Sequence, residues 1–202
     1  MSSATFRQQL PEYLRAQAKP VDKYGHQPRL YALTQQIGAG LSYDDDVVFA
    51  AAWLHDLGVF IGHRPEDPVE LKSWNHVNYT CERAPELLKR FGFPEEKIAG
   101  VLEAIRHHQP QDDPKTLEAV ILRDADILEQ LGAIGILRAV AKIGRDTRYH
   151  TFSQAIDFLR SNLERLPAQI RLDSTRKLAA PRIELLSSFL TGAETESMNE
   201  LH

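Results

Sequence analysis

The segment AAAWLHDLGVF, residues 50–60, places the tightest constraint on how this chain folds. It is apolar enough for a core, yet it carries an imidazole, His55, beside a carboxylate, Asp56. Burying either group without a partner costs on the order of several kcal/mol. The fold must therefore bring compensating groups to this point. EAVILRDADILEQLG, residues 118–132, poses the same problem. It has the pattern of a core helix, but Asp124 and Asp126 interrupt it.

The surrounding pattern is helical. Ser42 with Asp45 reads as a capping box, and Asp44, Asp45 and Asp46 favour a helix N-terminus through the dipole. That helix is expected to run through VVFAAAWLHDL and stop at Gly58. Residues 58–75 hold two Gly and two Pro and read as a loop. Further helices are expected from about His76 to Phe91, from Pro94 through EEKIAGVLEAIRHH, and from the Asp113–Pro114 cap to Gly132. Thr151 with Gln154 forms a second capping box, and a last helical stretch covers about 174–190, interrupted at Pro181. Residues 191–202 are polar and expected to fray. No segment sustains strand alternation. The expected fold is all-α, and 202 residues suit one domain.

Composition narrows the setting. The one cysteine, Cys81, allows no intrachain disulfide, which fits a reducing cytoplasm, and it reads as a small buried hydrophobe. A net charge of -4 gives no reason to expect a broad nucleic-acid surface. The N-terminus lacks a secretory pattern, and the longest apolar run, VVFAAAWL, is far short of the roughly 20 residues that span a bilayer. Trp53, Phe91, Phe93, Phe152 and Phe158 read as core, and His63, in the Gly/Pro loop, as a solvent-exposed histidine.

Five of the eight histidines, His26, His55, His76, His107 and His108, occur at helix ends or in apolar helices alongside carboxylates. A shared divalent cation would compensate the acids and use neutral imidazoles as ligands. Mixed His/Asp ligation suits Mn, Fe, Co, Ni or Zn better than Ca. The order His26, His55–Asp56, His76, His107–His108, Asp126 resembles the HD superfamily of metal-dependent phosphohydrolases. AAAWLHDLG is similar to its defining signature, AIRHHQP to its later histidine motif, and EAVILRDADILEQLG to its terminal Asp motif, in the form found in small stand-alone bacterial HD hydrolases. The resemblance covers about residues 20–140.

The resemblance implies a helical bundle around a central metal held by His26, His55, Asp56 and one Asp of the DAD triplet. The family pattern points to Asp126, with Asp124 supporting it or taking its place. On a helix the two lie about 200° apart, so one metal does not easily take both. The resemblance also implies that His76, His107 and His108 bind a second metal, contact phosphate or act as catalytic acid, and that Asp56 helps orient the attacking water. A simpler reading has one of the adjacent pair only bonding a terminal helix carbonyl.

A divalent metal lowers the pKa of bound water and polarises a phosphoryl oxygen. Lys23 and Arg29 flank His26, and Arg106 and Arg123 precede the later motifs. Arg138, Lys142 and Arg145 follow at spacings of four and three, hence on one helix face. They form either a phosphate-binding surface or a solvated stripe. The chain holds no P-loop. The expected activity is hydrolysis of a small phosphate ester or nucleotide. The alternatives are an HD-fold di-iron oxygenase and a non-catalytic metal- or ligand-binding module. The helices after about residue 146 could close the core, cover the site or make a homodimer.

Overall fold

A computed structural model describes residues 5–144, 149–198 and 200–201. It is all-α: among the described residues there are ten α-helices, three short 3-10 turns and no strand. The α-helices are α1 Phe6–Gln17, α2 His26–Ile37, α3 Asp45–Leu54, α4 Pro68–Ser73, α5 His76–Arg90, α6 Ile98–Arg106, α7 Leu117–Glu129, α8 Gly132–Val140, α9 Phe152–Gln169 and α10 Asp173–Ser197. Among the described residues no helix is long and apolar enough to cross a membrane. The chain forms two compact units divided after Arg123, within α7.

In the first unit α3 is central. Val47 to Leu54 are all buried, because this segment is apolar on every face. Ala50, Ala51 and Ala52 have no exposed surface, and α1, α2, α5 and α6 all pack on α3. The capping box expected from Ser42 and Asp45 does not form. Asp44 is the N-cap instead, its carboxylate accepting from Asp46 N at 3.0 Å and Val47 N at 3.3 Å. It stands one residue before the helix, where a short carboxylate reaches the second and third amides. Lys97 bonds Asp44 and Asp46 at 2.9 and 3.0 Å, and Arg7 forks Asp45 and Asp46 at 2.7 and 2.6 Å while also donating to Tyr31 Oη at 3.0 Å. The α-helix ends at Leu54, earlier than the expected stop at Gly58, and a 3-10 turn covers Leu57–Val59.

The stretch expected as a loop contains α4, with Asp67 as cap and Pro68 in its first turn. α5 starts at His76 as expected and buries Val77, Thr80, Ala84 and Leu88 at helical spacing. Pro94 precedes a separate 3-10 turn, Glu95–Lys97, rather than opening α6. The cap of α7 is Thr116, whose Oγ1 accepts from Ala119 N at 3.3 Å, not Asp113.

In the second unit α8, α9 and α10 pack on one another. Thr151 caps α9 by accepting from Gln154 N at 3.3 Å, but the Gln154 side chain accepts from His150 N at 2.7 Å, so the box is shifted by one residue. α10 is not broken at Pro181 and does not fray after residue 190; it continues to Ser197. An interior proline costs about 3 kcal/mol. Burial of Thr175, Ala179, Leu186 and Leu190 along one stripe offsets this, and Arg182 donates to Leu128 O at 2.7 Å beside the break in the ladder.

Trp53, Phe91 and Phe93 are buried, but Phe152 is 50% exposed in the first turn of α9 and Phe158 is half-buried against Tyr149. Cys81 is half-buried too. α8 ends at Val140, so Arg138 and Lys142 do not share a helix face, and Arg145 lies outside the described residues.

Ala51→Leu inserts three heavy atoms where α3 leaves no space. We expect a loss of about 2 kcal/mol or more in denaturant unfolding. An unchanged midpoint would show that α3 is less tightly enclosed than its burial indicates.

Candidate metal centre

Helix ends of the first unit converge on one carboxylate. His26 is the first residue of α2, His55 is the C-cap of α3, Asp56 follows it, His76 is the first residue of α5, and His108 lies just past α6. His26 Nε2 is 3.1 Å from His55 Nε2. Asp56 Oδ2 is 3.7 Å from His26 Nε2 and 3.6 Å from His55 Nε2, and Asp56 Oδ1 is 3.7 Å from His76 Nε2. Two groups result, His26–His55–Asp56 and Asp56–His76–His108; within each, ligand atoms lie within 4.8 Å of one another. Asp56 belongs to both.

The tautomers of two imidazoles follow from their neighbours. His55 Nδ1 is 3.0 Å from Ala52 O, and His108 Nδ1 is 2.7 Å from Ile105 O. A carbonyl only accepts, so each Nδ1 carries a hydrogen and each neutral ring presents its Nε2 lone pair. Burial pushes the Asp56 carboxyl up, but His55, His26, His76 and His108 together hold it well below the usual carboxylate range. Several imidazole nitrogens around an anionic carboxylate fit a divalent cation of intermediate softness. His55 is 1% exposed and His108 3%, so little water reaches them to replace such an ion.

Gly58 sets the approach of α5 to this group. A Cβ there would lie 2.7 Å from His76 O and 2.9 Å from His76 Cα. Gly58 N donates to Thr80 Oγ1 at 3.2 Å, and Trp74 Nε1 donates to Gly58 O at 2.8 Å. The turn after Asp56 is thereby fixed against the start of α5, which carries His76. Sequence reasoning took Gly58 only as a helix stop and did not single out Thr80 or Trp74. A glycine two residues past the His-Asp pair was the available signal.

The other expected site residues have contacts of their own. His107 belongs to neither group; its Nδ1 is 3.1 Å from Glu103 O and 3.0 Å from a Glu103 carboxylate oxygen. Arg123 is buried and donates to the carbonyls of Gln109 and Pro110, so it holds the loop after the histidine pair. Lys23 Nζ reaches Val59 O at 3.5 Å, and the Arg29 guanidinium lies over Gly25, where a Cβ would be 2.9 Å from it. In the second unit, fully buried Asp124 accepts from Arg171 N at 3.2 Å and Leu172 N at 2.9 Å, tying α7 to the residues before α10. Asp126 is buried and accepts from Gln130 Nε2 at 3.0 Å, while Arg138 is 3.6 Å from the buried Glu129 carboxylate. His63 is not a solvent-exposed loop residue: it is half-buried, with Nδ1 2.9 Å from Tyr79 Oη and Nε2 2.9 Å from Gln17 Oε1.

The chain has relatives in sequence and in fold. The family model of the HD domain matches residues 24–131, and the chain belongs to the HD domain family. It is 26% identical to YpgQ of Bacillus subtilis over 179 residues, covering 85% of this chain and 82% of that protein. The crystal structure of YpgQ in complex with ADP superposes with a TM-score of 0.71 at 24% identity, covering 95% of this chain and 94% of that one. The Lin1889 protein from Listeria innocua gives a TM-score of 0.72 at 18% identity over 96% of both chains. An HD-superfamily hydrolase from Bacillus thuringiensis gives 0.69 at 17% identity, covering 96% and 97%. These structural likenesses are likenesses of fold.

Two substitutions separate positioning from ligation. Gly58→Ala has to displace the α5 N-terminus; we expect about 1–3 kcal/mol of destabilisation together with weaker binding of added Mn or Co, measured by calorimetry. Unchanged metal binding would mean that the turn does not set the place of His76. Asp124→Ala removes the acceptor of two part-buried amides and should cost about 2 kcal/mol in thermal unfolding with metal content unaltered. Loss of metal in this variant would make Asp124 a ligand.

Proposed function

We propose that the protein is a metal-dependent phosphohydrolase that cleaves phosphate from a small phosphate ester or nucleotide. The observation that carries this reading is the pair of His/Asp groups sharing Asp56 in a chain of the HD domain family. His26, His55 and Asp56 hold the principal ion, and Asp126 is the further ligand expected from the sequence. Asp56 with His76 and His108 offers the place for a second ion.

A bound divalent cation supplies Lewis acidity and a water of lowered pKa. Asp56 is anionic at neutral pH and accepts a hydrogen bond from the attacking water, which orients its oxygen toward phosphorus. His76, at 21% side-chain exposure, is the most open imidazole of the cluster; with one ion bound and no second, its protonated form would give its Nε2 proton to the leaving oxygen. His108 is held by its bond to Ile105 O and keeps its Nε2 turned to the cluster. Lys23 and Arg29, near His26 in the chain, meet the charge on non-reacting phosphoryl oxygens. A nucleotide is the favoured substrate because YpgQ, similar in sequence and fold, has been crystallised with ADP. A reducing cytoplasm agrees with the unpaired Cys81.

Metal content by mass spectrometry, with phosphate release from a nucleotide panel on the same samples, tests the proposal. One or two transition-metal equivalents are expected, and both metal and phosphate release should be lost in the His55→Ala/Asp56→Ala variant. Two irons without phosphate release would replace the hydrolase by a di-iron oxygenase. No metal after reconstitution with Mn, Co and Fe would remove the centre altogether.

A further inference from the structure

A second polar site exists in the first unit, and none of the cluster residues lines it. A cavity of about 400 Å³ lies between the C-terminal end of α1, residues 57–63 and the exposed side of α5. That volume is within the range of small-molecule sites. Ile61 N donates to Lys19 O at 3.0 Å and joins the first two of these walls. Leu57, with no exposed surface, lines it immediately after Asp56.

The polarity of the cavity follows from its hydrogen bonds. Burial, with Arg83 nearby, pushes the His63 imidazole below its ordinary value, so it is neutral at pH 7. Gln17 Oε1 only accepts, so His63 Nε2 carries the hydrogen and donates to it. Nδ1 then accepts from the Tyr79 hydroxyl. The order Tyr79 to His63 to Gln17 fixes the Gln17 amide and leaves its NH2 group as a donor on the cavity wall. Lys19 and Arg83 add two cations, and neither has an ion-pair partner among the described residues. Glu86 is the one acid in the lining. Tyr13 and Tyr79 supply aromatic surface, and the Arg83 guanidinium is 5.6 Å from the Tyr79 ring centre.

We propose that this cavity binds a small anion carried on a flat ring, a nucleoside monophosphate or an aromatic carboxylate. Lys19, Arg83 and the Gln17 amide take the anionic group, and the tyrosines take the ring. The site is separate from the metal centre. Arg83 is seven residues beyond His76 on α5, about 10 Å along the helix axis. The proposal stands whether or not the protein is a phosphohydrolase, because it is read by binding alone.

The test is titration calorimetry with AMP, benzoate and inorganic phosphate on the wild-type protein, the His55→Ala/Asp56→Ala variant and the Lys19→Gln/Arg83→Gln variant. Both cavity residues are exposed, so their replacement leaves the fold in place. AMP or benzoate should bind the wild type and the cluster variant with Kd values within threefold. The Lys19→Gln/Arg83→Gln variant should bind at least tenfold more weakly. Binding of AMP alone assigns the site to nucleotides, and of benzoate alone to aromatic carboxylates; either supports it. Absence of binding by both, phosphate binding as tight as that of the ring compounds, loss of binding in the cluster variant, or indifference to the Lys19/Arg83 replacement would each overturn it.

Discussion

The first unit is organised around the Asp56 carboxylate. Its two oxygens face different imidazoles, and every imidazole that faces it comes from a helix end or the residues just beyond one. Helix ends suit this purpose. The last carbonyls of α3 and α6 have no partner within their helices. Ala52 O and Ile105 O are among them, and His55 and His108 satisfy them with Nδ1–H. One hydrogen bond thus closes the helix and fixes the tautomer, directing Nε2 at the carboxylate. The same residue placed mid-helix would find its carbonyls already paired.

Convergence of helix ends on one point requires close packing just outside it. α3 is apolar all round, and Ala50, Ala51 and Ala52 in it are fully enclosed by its neighbours. Gly58 lets the backbone after Asp56 touch the backbone of His76. The charged residues at the other end of α3 do different work. Asp44 caps the helix, while Asp45 and Asp46 join Arg7 and Lys97 in a partly exposed network. That network neutralises the acids that a ligand-seeking reading of three consecutive Asp would otherwise claim.

Much of this was legible in the sequence because it rests on local rules. The all-α class, the core helix before His55, the start of α5 at His76 and the burial of Trp53, Phe91 and Phe93 follow from periodicity and apolarity. The resemblance carried by AAAWLHDLG, AIRHHQP and EAVILRDADILEQLG named the residues that the structure gathers around Asp56, His26, His55, His76 and His108. What was not legible depends on contacts distant in the chain or on where a helix stops. Asp124 finds its amides 47 and 48 residues away. His107 and His108 are neighbours in sequence, and the last turn of α6 decides that only His108 faces the cluster. α10 continues through Pro181 because its stripe is buried, and α8 ends too early to carry Lys142 beside Arg138. Ser42 and Asp44 both satisfy a capping rule, and one residue of offset chose Asp44.

The two polar sites of the first unit have opposite electrostatic demands. Around Asp56, the anionic carboxylate and the Nε2 atoms of His55 and His108, whose Nδ1–H groups are bound to backbone carbonyls, form a set that favours a cation. In the cavity, the neutral His63 accepts at one nitrogen and donates at the other, so it adds no charge, and Lys19 and Arg83 remain to favour an anion. Arg7 and Lys97 are paired with the acids of α3, whereas among the described residues Lys19 and Arg83 have no ion-pair partner. Leaving two cations unpaired at one aromatic-walled cavity, in a chain whose net charge is -4, is an uneven distribution of charge. Its consequence is selectivity by sign: a metal ion is repelled from the cavity, and a lone anion is repelled from Asp56 until a cation is present there. On the proposed reading the cluster takes a phosphate only together with its metal, while the cavity takes its anion without one.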